Sequence, residues 1–470
     1  MLGGIVVGRP SPVRGQQAMP TTAPAVGQII GPATRPAGAR AQPPATAAAE
    51  PQGASVNAAV PAGVRPFELI YPGGHLFGDW GGARAELERA GITPTFSLVT
   101  DIAGNPTGGL RQGGTESSNL GLDLQFDLVK IAGLGGGTVL VSMSDRFGNS
   151  LTKDYIGNTF NVQQNFGGET FKVIDVAYRQ QLLDDHLAFR VGRLAAGDEF
   201  FVSSYDYLFM QNGLCGNPVG VFLNAPGMTA YPNTTWGAWV RANPSQRGYV
   251  MAGVFNGDPA IRNNDRHGVD GSFNGPLFTI AEAGYQANGL PGDPGPAGDY
   301  KVGAWYDDSA YAEFRPPGQP SADKRGNTGI YVMFDQALVP FGDRRSGRGL
   351  GVFGSFLVSP DETVSTLPYF FTAGVAARGI AASRPNDACG LAVIYGQFSS
   401  DLRAEQQAAR LANPAIRPQG YEAAFELTYR AYLGNGGVFV QPDGQYILHP
   451  GGTGRIADAV VLGCQVGIDF

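Results

Sequence analysis

Residues 120–128 read Leu120-Gly121-Leu122-Asp123-Leu124-Gln125-Phe126-Asp127-Leu128. One alternate set is apolar throughout, and the other carries Asp123, Gln125 and Asp127. Successive side chains of a strand point to opposite faces, so this is a strand with one apolar face and one wet face. Val139-Leu140-Val141-Ser142-Met143-Ser144, Leu187-Ala188-Phe189-Arg190-Val191 and the run from Tyr421 to Arg430 repeat the pattern. So does the end of the chain: Phe470, Ile468, Val466, Cys464, Leu462 and Val460 share one face, and Asp469, Gly467, Gln465 and Gly463 the other. A barrel in a membrane needs this alternation, with lipid outside and a lumen inside.

Alternating segments recur near 92–101, 118–129, 138–147, 171–182, 186–195, 234–242, 249–257, 278–286, 300–308, 328–338, 349–359, 367–379, 387–398, 419–433, 438–448 and 459–470. Their number is even and their lengths suit tilted membrane strands. Joints such as 434–437 and Asp184-Asp185 are short. Those at 258–277 and 287–299 are long and polar, which predicts turns at one end of a barrel and loops at the other.

Composition agrees. Gly supplies 70 and Pro 34 of the 470 residues, charged residues make up only 16%, and hydrophobic residues 43%. The apolar content is too high for a disordered chain, and the Gly has no collagen period. Mean hydropathy is −0.09. No apolar run is long enough for a membrane helix, but a barrel averages its two faces to near zero. The net charge of −7 argues against a nucleic-acid partner.

The chain divides at about residue 65. Residues 1–65 are rich in Ala, Pro and Gly, lack aromatics, and carry five Arg and one acid, Glu50. Such a segment is expected to be disordered. Leu2–Gly8 is a short apolar stretch without a basic lead, and Ala39-Arg40-Ala41 resembles a cleavage site, so the segment reads either as an atypical export leader or as a linker. Residues 66–91 form a turn and a short helix, and 92–470 the barrel. That remainder holds 28 basic and 39 acidic residues. Cys215, Cys389 and Cys464 form no metal-binding spacing, and His75, His186, His267 and His449 form no HxxxH or HExxH. Asp184-Asp185-His186 and Asp265-Arg266-His267 sit in turns without a nucleophile, and Gly133–Gly137 precedes a strand, so no catalytic residue, metal or cofactor is assigned.

One motif is denser than its surroundings: His75-Leu76-Phe77-Gly78-Asp79-Trp80-Gly81-Gly82-Ala83-Arg84-Ala85-Glu86-Leu87-Glu88-Arg89-Ala90-Gly91-Ile92. Asp79 is placed to cap a helix that runs to Ala90 and ends at Gly91. The motif resembles the opening signature of the carbohydrate-selective porin family, OprB. Asn105-Pro-Thr-Gly108-Gly109, Phe189–Leu194 with Asp198-Glu199-Phe200, and Glu422–Tyr429 followed by Gln441–Gly451 resemble further family blocks. The resemblance spans about residues 71–470. It implies an all-β, sixteen-stranded outer-membrane barrel that passes sugars such as monosaccharides by diffusion, without a cofactor. Its partners would be outer-membrane lipid, sugars, and the barrel-assembly machinery that reads a terminal aromatic such as Phe470. Monomer and trimer are both compatible.

Parity names the lumen candidates. They are Thr95, Ser97 and Asp101; Asp123, Gln125 and Asp127; Ser142, Ser144 and Arg146; Asp175, Arg179 and Gln181, opposite Ile174, Val176 and Tyr178; Arg190; and Glu422, Glu426 and Arg430. A charge facing mid-bilayer lipid would cost about 2–4 kcal/mol for Arg or Lys, which sets these faces inward. Most such charges pair with one another. Arg190, Arg193, Asp101 and Asn105 are the sharper candidates for solute contact, with the stretch Phe200–Tyr207, including Tyr205, folding into the pore as a constricting loop. Trp236, Trp239 and Trp305 read either as an interface girdle or as sugar-stacking surfaces. An anion or general porin is an alternative, disfavoured by the acidic balance. A soluble sugar-binding β protein is another, and a barrel enzyme a third without a catalytic constellation to support it.

Overall fold

The computed structural model describes residues 74–470 apart from 215–217, 259–263, 291, 321 and 344–345. The segment 1–65 and Cys215 lie outside these residues. Sixteen strands form one closed antiparallel barrel. They are β1 (Ile92–Gly109), β2 (Gly113–Asp127), β3 (Gly137–Gly148), β4 (Thr170–Leu182), β5 (Leu187–Leu194), β6 (Thr235–Ala242), β7 (Gly248–Asn256), β8 (Leu277–Ala287), β9 (Gly298–Ala312), β10 (Asp323–Pro340), β11 (Gly349–Val358), β12 (Tyr369–Arg378), β13 (Ala388–Gln397), β14 (Tyr421–Leu433), β15 (Val438–Leu448) and β16 (Ala457–Asp469). Each strand pairs with its sequence neighbours, and β1 pairs with β16 to close the ring. Closure leaves no edge with unpaired N–H and C=O groups, which lipid would not solvate.

Alternation sets the faces. Val191, Val240, Ile330, Leu391, Leu427 and Leu462 stand outward and exposed, forming a band for lipid. No helix among the described residues is long and apolar enough to cross a membrane. Many strand glycines lie under inward rings. A side-chain carbon on Gly329 would come within 2.6 Å of the Trp305 indole, so Gly there lets the ring lie flat across the neighbouring strand.

Two expectations need correction. Segment 287–299 belongs with the short turns: 183–186, 243–247, 288–297 and 434–437 all lie at the end holding the start of β1 and the end of β16. The long loops 149–169, 195–234, 257–276 and 398–420 lie at the other end. Ile174, expected on the lipid face, is fully buried. A register shift between Val141 and Met143 puts a bulge in the β3–β4 pairing, which reverses parity and turns Lys172 and Ile174 inward beside Asp175.

The motif at 75–91 sits over the β1–β16 seam. Helix α1 (Ala83–Arg89) is held at its start by the Asp79 carboxylate, which accepts the Ala85 N–H at 2.9 Å. Gly91 ends the turn with φ +88°. The fold buries Arg84, whose guanidinium donates to the Pro94 carbonyl at 3.1 Å and the Phe470 carbonyl at 2.6 Å. The first carbonyl lies in β1 and the second directly follows β16, so Arg84 ties the two sides of the seam. Burial lowers the Arg84 pKa, and the charges of Asp469, Glu88 and Asp79 work against that. The Phe470 ring packs between Phe77 and Phe96, at 5.7 and 4.9 Å between centroids. Leu76 N–H reaches the Asp469 carbonyl at 2.7 Å, and His75 Nδ1 lies 2.9 Å from the Asp469 carboxylate.

Candidate functional site in the barrel lumen

Two of the long loops fold into the barrel, and the wall holds both with carboxylates. The β5–β6 loop, residues 195–234, carries Phe200, Phe201, Tyr205, Leu208, Phe209 and Met210, all fully buried. These pack on the inward rings of β7 to β12. Phe201 lies 4.4 Å from Tyr331, Tyr205 5.7 Å and Phe209 5.5 Å from Phe353, and Phe200 6.2 Å from Phe255, all between centroids. Each such ring contributes about 1.5–3 kcal/mol by burial. A loop inside a barrel still needs partners for its backbone N–H groups. Glu282 accepts Phe201 N–H at 2.9 Å, Asp335 accepts Ser204 N–H at 2.8 Å, and Asp307 accepts Gly227 N–H at 2.5 Å. Glu426 accepts Met210 N–H at 2.5 Å and Gln211 N–H at 3.0 Å. The β3–β4 loop, residues 149–169, is held alike. Glu422 accepts Thr159 N–H at 2.8 Å and Phe160 N–H at 3.0 Å, and Asp101 accepts Asn165 N–H at 3.0 Å.

The loops thereby divide the lumen. The apolar half, β6 to β13, is covered by the β5–β6 loop. The polar half runs from β14 through the seam to β5. Its inward residues form rungs across the first three strands: Thr95–Asp123–Ser142, Ser97–Gly121–Ser144 and Val99–Asn119–Arg146. Asn119 Oδ1 accepts from Ser144 Oγ at 2.7 Å, Arg146 Nε at 3.0 Å and Tyr231 Oη at 3.1 Å. Arg146 also lies 5.1 Å over the Tyr231 ring. Lys172 donates to Asn233 Oδ1 at 2.8 Å. Arg179 faces Arg190 across β4 and β5. Arg190 pairs with Glu199 and lies 3.7 Å from Asp175. Arg193 reaches the Asp270 carbonyl at 3.4 Å.

The sequence candidates therefore have different surroundings. Asp123, Arg146, Asp175, Arg179, Arg190 and Arg193 gather on the polar wall. Asp101, Glu422 and Glu426 hold loop backbone, and Asp101 also accepts Gln465 Nε2 at 2.7 Å. Asn105 closes the β1–β2 hairpin, donating to the Gly108 and Arg111 carbonyls at 2.9 Å and accepting Gly113 N–H at 3.1 Å. Arg430 bonds Gln441 at 2.6 Å and the Tyr207 carbonyl at 3.0 Å. Tyr205 is packed in the apolar half. Trp239 and Trp305 face inward and are buried, whereas Trp236 stacks on Phe273 at 5.4 Å. Asn119, Lys172, Tyr231 and the anchors Glu282, Asp307 and Asp335 were missed. The three anchors carried a signal, being acids at inward-parity positions of β8, β9 and β10. No cluster of His, Cys, Asp or Glu with metal-binding geometry occurs among the described residues.

Comparison with known proteins gave concordant matches. The family model described as carbohydrate-selective porin, OprB family, matches residues 111–470. Porin B of Pseudomonas aeruginosa is 26% identical over 422 residues, covering 83% of this chain and 90% of that protein. A putative porin, QuiX, of Acinetobacter baylyi is 28% identical over 427 residues, covering 84% and 93%. A high-pH structure of Pseudomonas putida OprB superposes with a TM-score of 0.77 at 24% identity, over 84% of this chain and 97% of that one.

Proposed function

The chain belongs to the carbohydrate-selective porin family OprB, and on that premise we propose that small neutral sugars cross its barrel along the polar half of the lumen. It is an outer-membrane β-barrel channel. The observation that carries the finer reading is the wall of β1 to β5: a hydroxyl or amide at every rung of β1 to β3, beside the ion pairs of Arg190 with Asp175 and Glu199. A sugar leaving water must replace its hydrogen bonds, and such a wall supplies donors and acceptors along the path. The two inward loops narrow the path to this wall.

The acidic balance of the chain is a poor guide to the pore. Inward acids of β8 to β14 hold loop backbone, while Arg146, Lys172, Arg179, Arg190, Arg193 and Arg241 gather on β3 to β6, with Asp175 on the same wall and Glu199 from the loop after β5. That arrangement keeps the general or anion porin as a second reading. Reversal potentials in asymmetric KCl separate the two. A neutral-sugar channel gives weak ion selectivity together with sugar uptake into proteoliposomes. Strong anion selectivity without sugar uptake would favour the second reading.

A further inference from the structure

The β5–β6 loop carries one acid that no anchor uses. Asp206 is fully buried, and neither of its carboxyl oxygens has a hydrogen-bond partner. The groups around it are already engaged. Asp335 of β10 accepts Ser203 Oγ at 2.6 Å and Ser204 N–H at 2.8 Å, and Lys301 of β9 donates to the Val202 carbonyl. The negative charges of Asp335 and Asp299 both act on the neighbouring Tyr205. From β14, Arg430 bonds the Tyr207 and Leu208 carbonyls, and Glu426 the Met210 and Gln211 N–H groups. β11 and β13 present Phe353 and Gly390 to this segment. A carboxylate at Asp206 would hold its charge out of water with no hydrogen bond to offset the cost, so the packing favours the neutral acid. Burial and the Asp335 charge hold its pKa well above the usual carboxylate range, against the opposing charge of Lys301.

We infer that Asp206 is a proton-dependent catch on the constricting loop: protonated, it lets residues 200–209 stay packed in the apolar half, and ionised, it favours their release and a wider lumen. This rests on the inward loop and not on the route taken by sugars. The direction follows from linkage. A released Asp206 ionises near pH 4 like any exposed aspartate, whereas the packed one keeps its proton well above that. Below about pH 4 both forms are protonated, and packing is strongest. As pH rises past that value, release frees a proton that the packed loop retains. The equilibrium then moves toward release by up to about tenfold per pH unit, until the packed acid itself ionises. Acid therefore narrows the channel, and neutral pH loosens it. The wall carboxylates titrate as well, so the contribution of Asp206 is the difference between wild type and a variant without that proton.

The test is single-channel recording of the refolded full chain in KCl alone, between about pH 5 and pH 7, with Asp206→Leu and Asp206→Asn beside wild type. Leu suits the apolar packing, and Asn copies the shape of the neutral acid. The readout is the ratio of time in a wide, high-conductance state to time in the narrow one. In wild type this ratio is expected to rise with pH more steeply than in either variant, by up to about tenfold per unit. If the Asn barrel does not fold, because its amide is equally unpartnered, Leu carries the comparison. Equal pH slopes in wild type and a folded variant overturn the catch. So does a wild type that never leaves the narrow state across this range. Failure of Asp206→Leu to fold also contradicts it, since the site is one that accepts an uncharged side chain.

Discussion

Replacing Glu426 by Ala removes one side chain and two anchors of the β5–β6 loop. Its oxygens accept Met210 N–H at 2.5 Å and Gln211 N–H at 3.0 Å, and both donors are fully buried. A buried N–H left without an acceptor costs about 1–3 kcal/mol, so the pair costs about 2–6 kcal/mol. Lumen water entering at the vacated carboxylate would recover part of that. With about 2 kcal/mol remaining, local release of the loop becomes about thirtyfold more frequent. The barrel itself should persist, since Glu282, Asp335 and Asp307 still hold other parts of the loop and the rings at 200–209 stay packed. Single-channel recording of the refolded variant should show larger mean conductance and added open-channel noise. Glu426→Gln keeps one acceptor oxygen and should fall between. Wild-type conductance and noise in a folded Glu426→Ala barrel would refute the view that wall carboxylates tether a constricting loop.

Arg84→Ala breaks two bonds across the seam and should lower barrel stability by about 2–4 kcal/mol, read as a lower temperature for loss of the compact band on gels, with sugar uptake unchanged below that temperature. Asn105→Ala removes three hairpin hydrogen bonds and should weaken stability without altering glucose uptake, since its amide is spent on backbone. Leu462→Arg places a charge on the lipid face at a position 60% exposed and should cost about 2–4 kcal/mol in denaturant titration in bilayers.

Strand number, order and facing were legible because a period of two is imposed by the backbone itself and lipid penalises every exception. Leu120–Leu128 alone carries that information. The exception at Ile174 was hidden because a bulge adds one residue to one strand, and the sequence there still alternates. The inward course of 195–234 was half visible in Phe200–Tyr207, where apolar rings crowd without alternation. That of 149–169 was not, since polar residues outnumber its apolar ones, Leu151, Ile156, Phe160 and Val162 among them, and its anchor, Glu422, lies over 260 positions away. Charge drew attention to Asp101 as a solute contact and to Glu426 as a lumen residue. The same carboxylates meet backbone N–H groups of the loops, partners that no local pattern reveals. Asn119 is a small, uncharged residue inside the most readable strand, and its role depends on Tyr231, which reaches it from the β5–β6 loop.

The proposed route takes sugars through a lumen narrowed to one polar wall. Swelling of proteoliposomes holding the folded full-length barrel, in D-glucose and in the trisaccharide raffinose at equal osmolarity, tests it directly. Glucose should enter rapidly and raffinose markedly more slowly. Equal rates for both sugars would contradict the narrowed lumen, and no entry of either would contradict the channel.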